Sequence, residues 1–213
     1  PARIAEDDAR AVPGITNAEG AETAWSQAQI AIATTNGFAQ AYSTSSHSLA
    51  ASVLAGEGTA MERDYDYTSA VYYADLEDPA EIGRRAGERA VKRLNAKKVK
   101  TQQVPVIYDP RVSGGLVRHY AGGINGSSIA RGTSFLKDSM GEKIFSDGIN
   151  IIDDPHRPRG FRSKPFDAEG LANGKRAIAE NGVLTSWVLD LSAARQLGLE
   201  STGNASRGTS SPP

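Results

Sequence analysis

An α+β fold follows from three features of the sequence. Residues alternate in polarity between Ala24 and Leu76, a capped amphipathic helix runs from Asp78 to Ala96, and short apolar runs separated by turn residues resume at Val104. These features predict an antiparallel β meander with one packed helix, followed by a mainly β second unit, with a boundary between residues 103 and 104. The 22 glycines and the modest apolar share of 39% fit a turn-rich sheet protein. A formal charge of −1 supplies no global field for nucleic acid, and the absence of cysteine excludes disulfides and thiolate zinc ligands. Apolar runs fall far short of the roughly 20 residues a membrane helix needs. No signal-type segment opens the chain, so a soluble, cytoplasmic protein with no membrane contact is the expectation.

In chain order, the opening PARIAEDDARAVPGITNAEG reads as the tail of something upstream, with Glu6, Asp7 and Asp8 on a solvated helix end. Ile30 and Ile32 share one face of a strand, and Asn36-Gly37 predicts a type I′ hairpin turn. Phe38, Gln40 and Tyr42 then lie on the return strand. A third strand spans Ser48 to Ala55, and a fourth carries Tyr65 and Tyr67 on one side and Asp64 and Asp66 on the other, ending near Tyr72 and Tyr73. Glu62, Asp64 and Asp66 are expected on a solvent face, because antiparallel sheets commonly keep one face wet. His47 reads as a loop histidine.

Asp78 is the N-cap of the helix, Pro79 its first residue, and Glu81 completes a capping-box-like pattern. Ile82, Ala86, Ala90 or Val91, and Leu94 form its apolar stripe, and Glu81 with Arg85 and Glu88 with Lys92 are i,i+4 pairs. The basic cluster Lys92, Arg93, Lys97, Lys98 and Lys100 complements the helix dipole. Without interleaved aromatics it does not favour nucleic acid. Val104 to Tyr108 reads as a short buried strand, and the segment Val112 to Leu136 as a short helix, a glycine-rich bend and a polar strand entry.

Beyond it, Ile149 to Ile152 is a predicted strand and Asp153-Asp154-Pro155-His156 a strand end with a proline turn. Phe166 to Gly170 reads as a turn held by side-chain-to-backbone hydrogen bonds. Glu180 to Leu184 is a second Asn-Gly hairpin, with Trp187 and Leu189 on its return strand. Ser192 to Leu197 forms a helical turn or two, stopped by Gly198, and Ser201 to Pro213 reads as a flexible tail.

Several of these stretches, in this order, resemble the TldD/TldE (PmbA) family of zinc metallopeptidases and modulators of DNA gyrase. They include ITNAEG from Ile15, YSTSSHSLAASV from Tyr42, MERDYDYT from Met61 and RGTSFLKDSMGEKI from Arg131. PFDAEG from Pro165, ENGVLTSWVLD from Glu180 and ARQLGLESTGNASRG near the end continue the series. The resemblance covers almost the whole chain and is closest to the TldE/PmbA subunit. It implies an internal piece of a longer protein, with residues 1–103 closing an N-terminal domain and 104–213 opening a C-terminal one.

In the catalytic half of that family the helix before the glycine bend carries H-E-x-x-x-H. The resemblance places Val117 and Gly122 on the histidine positions and Arg118 on the glutamate. Such a site needs two neutral nitrogen donors and a carboxylate that activates metal-bound water. Valine, glycine and arginine supply none of these, and His119 is about 100° round the helix from Arg118. The resemblance therefore implies a non-catalytic subunit without its own cofactor, which binds a TldD-like partner that holds the zinc and processes flexible peptides. Self-association is a further expectation, since missing neighbours would leave strand edges open. Two other readings stand beside it. One is a self-sufficient peptidase with an unrecognised site around Asp154, His156, Asp167 and Glu169, with Arg118 and His119 as further cleft candidates, and the other a gyrase- or nucleic-acid-binding module using the cluster near Lys97.

Overall fold

The computed structural model describes residues 1–208 and 210, so the part of the predicted tail at Thr209 and 211–213 lies outside the described residues. The chain divides into two compact units, residues 1–30 with 43–103, and residues 31–42 with 104–213. Residues 31–42, the hairpin end that the sequence placed with the meander, thus cluster with the second unit.

In the first unit α1 (Ala2–Ala11) precedes a three-stranded sheet in the order β1 (Ile15–Ala33), β2 (Ala39–Ala55), β3 (Glu62–Ala70), with β2 and β3 antiparallel and residues 31–33 and 39–42 of the first two strands counted with the second unit, and α2 (Pro79–Lys92) follows it. Residues Leu49, Ala51, Val53 and Ala55 alternate onto the inner face of β2 and meet Ile82, Ala86 and Ala90 of α2 and Ala5 and Ala9 of α1. The opening residues are therefore a packed helix, with Glu6, Asp7 and Asp8 off its buried side, and the start of a strand. The sheet has three strands and not the four expected, because Ala39 to Ala55 holds neither glycine nor proline and runs unbroken. β3 stops at Ala70, and Tyr73–Asp75 forms a 3₁₀ turn.

Asn36 is not among the residues with positive φ, whereas Gly37 has φ 93°, and the amide of Gly37 donates to Thr34 O at 3.1 Å. The connection is thus a three-residue loop with a left-handed glycine, and not the predicted type I′ turn. The second Asn-Gly, in contrast, has Asn181 at φ 47° and Gly182 at φ 81°, as a type I′ turn demands.

The largest departure lies on β3. Asp64 and Asp66 are buried (6% and 3% exposed), while Tyr65 and Tyr67 are 47% and 45% exposed and stack on each other. The reason is on α2. Arg85 bonds Asp66 at 2.6 Å and Glu77 at 2.8 Å, Arg89 pairs with Asp66, and Arg93 reaches Asp64 and Glu62 at 3.5 Å. Carboxylates on the inner face are tolerated because guanidinium groups neutralise and hydrogen-bond them. Arg84, not Arg85 or Lys92, takes Glu81 and Glu88. The cap is as predicted, Asp78 accepting from Ala80 N at 3.0 Å.

The second unit contains α3 (Pro110–Gly123), α4 (Gly126–Ala130), a small antiparallel sheet of β4 (Ile151–Asp153), β5 (Arg176–Glu180) and β6 (Val183–Leu184), and α5 (Leu191–Leu197). Its core joins Ile124, Ile129, Ile178, Leu184, Trp187 and Leu189. Trp187 and Leu189 are buried outside the short strand β6, and Val188 bridges to Asn125. Phe38 and Tyr42 set their rings edge-on against Phe166, at 5.1 and 5.3 Å. α5 is capped by Asp190 and ends on left-handed Gly198.

Two predicted features are overturned here. Val104 to Tyr108 is no buried strand: it forms no ladder among the described residues, and Ile107 is 96% exposed. Pro105 removes one of its amide donors. Ser201 to Ala205 is not a loose tail either. Ala205 is buried, its amide donates to Asp167 Oδ2 at 3.1 Å, and its carbonyl accepts from Ala168 N at 3.0 Å.

Candidate functional site

The helix singled out in the sequence forms because Asp109 caps it, accepting from Arg111 N at 2.9 Å, with Pro110 at its first position. Its inner face is set by Tyr120, Gly123 and the following Ile124. Tyr120 packs edge-on against Phe145 with ring centroids 5.1 Å apart, and its hydroxyl donates to Ile178 O. Gly123 leaves room for Leu136 and Phe135, whose side chains would lie 3.1 and 3.2 Å from an added Cβ.

Burial pushes the Tyr120 phenol up from 10.0 to about 12. The unfolded chain therefore ionises this tyrosine first, and the contribution it makes to stability is complete below pH 10 and is lost as pH rises towards 12. Tyr120→Phe should cost about 1 kcal/mol at neutral pH through the lost bond to Ile178. Urea titrations of both proteins should show that deficit shrinking over the same alkaline range.

Val117, Arg118, His119 and Gly122 all lie on the exposed side of α3. Val117 is 49% exposed, its neighbours Val112 and Leu116 are 57% and 52% exposed, and a Cβ on Gly122 would touch nothing. An aliphatic group, a fixed cation and bare backbone offer no lone pair to a metal, so these positions do not fit a zinc ion.

The second set of candidates is not assembled into one site. His156 Nε2 is 2.8 Å from Asn173 Oδ1, and Asp154 accepts from its backbone amide at 3.2 Å and pairs with Lys175 at 3.6 Å. Asp167 is 1% exposed and accepts the amides of Glu169, Leu171 and Ala205 at 2.9–3.1 Å. Glu169 accepts the amide of Leu191 at 2.9 Å, at the start of α5. These carboxylates organise backbone, as the turn reading expected. Among the described residues no three His, Asp or Glu side chains gather in a metal-ligand arrangement.

What sequence reading missed is a cleft of about 500 Å³ beside Asp154. Arg157, Phe161, Arg162 and Lys164 line it together with Asn173 and Asn204. The density of basic residues in DDPHRPRGFRSK was the available signal, hidden because the far wall comes from residues 173 and 203–204. No helix among the described residues is long and apolar enough to cross a membrane.

Residues 2–94 match the model of the PmbA/TldA metallopeptidase central domain, and residues 101–213 that of the C-terminal domain. Metalloprotease PmbA of Escherichia coli O157:H7 is 39% identical over 191 residues, covering 90% of this chain and 42% of that protein. A PmbA homologue of Haemophilus influenzae is 38% identical over 170 residues, covering 80% of this chain and 38% of its own length. A Thermotoga maritima structure described as a modulator of a DNA gyrase matches with TM-score 0.88 and 26% identity, over 96% of this chain and 47% of that one. TldE from Thermococcus kodakarensis matches with TM-score 0.84 and 25% identity, over 97% and 47%. The chain thus spans about two fifths of the length of the curated relatives it matches. On two family models that together take in nearly all its residues, the chain belongs to the PmbA/TldA metallopeptidase family.

Proposed function

We propose that this chain is the TldE/PmbA-like, non-catalytic part of a two-subunit zinc metallopeptidase that processes flexible peptides in the cytoplasm. In this reading a TldD-like partner supplies the metal, its ligands and the general base, and this chain carries no cofactor. The observation that carries it is the exposed face of α3, where Val117, Arg118 and Gly122, the residues that the family resemblance sets against the donors of the catalytic half, offer no metal ligand. A guanidinium at the position of the base repels a dication and cannot accept a proton at neutral pH. Structural likeness to a protein described as TldE supports the same assignment.

The test is co-purification of the full-length protein with a TldD from the same cell. A stable complex whose peptide cleavage is chelator-sensitive, and which loses cleavage when the TldD histidines are replaced, is the expected result. Stoichiometric zinc and cleavage in the chain alone would sink the reading, as would failure to form the complex.

A further inference from the structure

We propose that the cleft between the loop 153–164 and residues 173 and 203–204 binds a carboxylate of an extended peptide, either its C-terminus or an acidic side chain. The inference deepens the peptide-processing reading and rests on it for the class of ligand. The loop is a built structure. Pro155 O accepts the amide of Lys164 at 2.9 Å, Arg157 O accepts the Gly160 amide and the Ser163 hydroxyl at 3.1 and 2.7 Å, and Asn173 Nδ2 donates to Lys164 O at 3.0 Å. A Cβ on Gly160 would lie 2.4 Å from Ser163 Oγ and 3.1 Å from Arg157 O, so a larger residue there would crowd the hydroxyl that ties the loop.

The carboxylates of the cleft are already engaged. Asp153 Oδ2 accepts from Asn204 Nδ2 at 2.7 Å, and Asp154 is paired with Lys175. The guanidinium groups of Arg157 and Arg162 are not: neither has an ion pair or hydrogen bond among the described residues, in contrast to Arg85, Arg89 and Arg93. Two guanidinium forks without a carboxylate, both lining one cleft, supply the chemistry that recognises an incoming carboxylate. Half-exposed Phe161 adds an apolar surface at the same opening, suited to a neighbouring side chain. Asp153 and Asp154 would repel the repeated charges of a nucleic-acid backbone, which favours a ligand with a single negative group.

The test is calorimetric titration of this chain with N-acetylated Ala-Phe-Ala peptides. One has a free C-terminus, one is amidated, and one is amidated and carries a glutamate. The carboxylate forms should bind about tenfold more tightly than the neutral amide, as expected for charge-assisted bonds. In the double variant R157Q/R162Q this preference should disappear, while K137Q, an exposed cation elsewhere, should retain it. The preferred carboxylate peptide tells C-terminal from side-chain recognition. Equal binding of the amide, an unchanged double variant, tighter binding of a single-stranded oligonucleotide, or binding of inorganic phosphate with no peptide binding would each overturn the proposal. Co-purification of R157Q/R162Q with TldD separates the two failures. A retained complex without carboxylate preference in either protein sinks only the cleft, whereas carboxylate binding without a complex sinks only the partner reading.

Discussion

Replacing Gly83 with alanine is expected to destabilise the first unit by about 3 kcal/mol, the upper range for inserting atoms into a filled contact. Exposed helical glycines usually behave the other way, since alanine gains up to about 1 kcal/mol of helix propensity. Here the new methyl would lie 2.1 Å from Ala5 O and 3.0 Å from Ala9 N, and neither atom belongs to a side chain that can swing away. Relief requires α1 to move off α2, which would uncover Ala5, Ala9 and Ala86. Gly87 stands one turn on, where an added Cβ would be 2.6 Å from Val12 Cγ2. Its backbone neighbour, Ala9 O, would lie 2.9 Å away, against 2.1 Å for Ala5 O at Gly83, so Gly87→Ala should cost less than Gly83→Ala. Urea denaturation of the two variants checks both the sign and the order, and a stabilised Gly83→Ala protein would show that the helices are not in this contact.

Asp66→Ala is expected to cost about 2–3 kcal/mol, below the roughly 3–5 kcal/mol found when one partner of a fully buried pair is removed. The discount is physical. Asp66 is almost fully buried, but the side chains of Arg85 and Arg89 retain 28% and 29% of their exposure and can recover hydration. Arg85 also keeps Glu77 at 2.8 Å. Asp66→Asn preserves shape and one acceptor, and should lose roughly half as much. Thermal melts at moderate and high salt supply the check. Because the carboxylate is buried, the difference between wild type and variant should survive salt that screens the surface pair of Arg63 and Glu19.

The elements that local rules specify were legible. The Asp78-Pro79 start of α2, its stripe of Ile82, Ala86 and Ala90, the Asn181-Gly182 turn and the Gly198 stop all depend on residues within a few positions of one another. The orientation of β3 was not legible, because tyrosine and aspartate alternate with the same period and ordinary hydrophobicity puts tyrosine inside. Only the spacing of Arg85, Arg89 and Arg93, on another element, reverses the choice. Val104 to Tyr108 has strand composition, but composition does not supply a pairing edge. Gly83 and Gly87, unfavourable in a helix by propensity alone, sit where α2 presses against Ala5 and Ala9 of α1. At the candidate site, the alignment of Val117, Arg118 and Gly122 with a metal motif rests on motif order along the chain alone. The engagement of Asp154, Asp167 and Glu169 with backbone amides was not legible in detail, because periodicity does not reveal such partners.

The arginine ladder has a mechanical corollary. Four residues of helix advance about 6 Å, and two residues of strand about 6.7 Å, so the arginines of α2 and the carboxylates of β3 run nearly in step and mesh, Asp66 taking Arg85 and Arg89 while Arg93 spans Asp64 and Glu62. Gliding of the helix along the strand is quantised. A shift towards the end of β3 brings the arginines over Thr68 and Ala70, which share the inner face and carry no charge. Such a gear resists shear and yields to rotation, so pulling on this unit should make it snap and not creep.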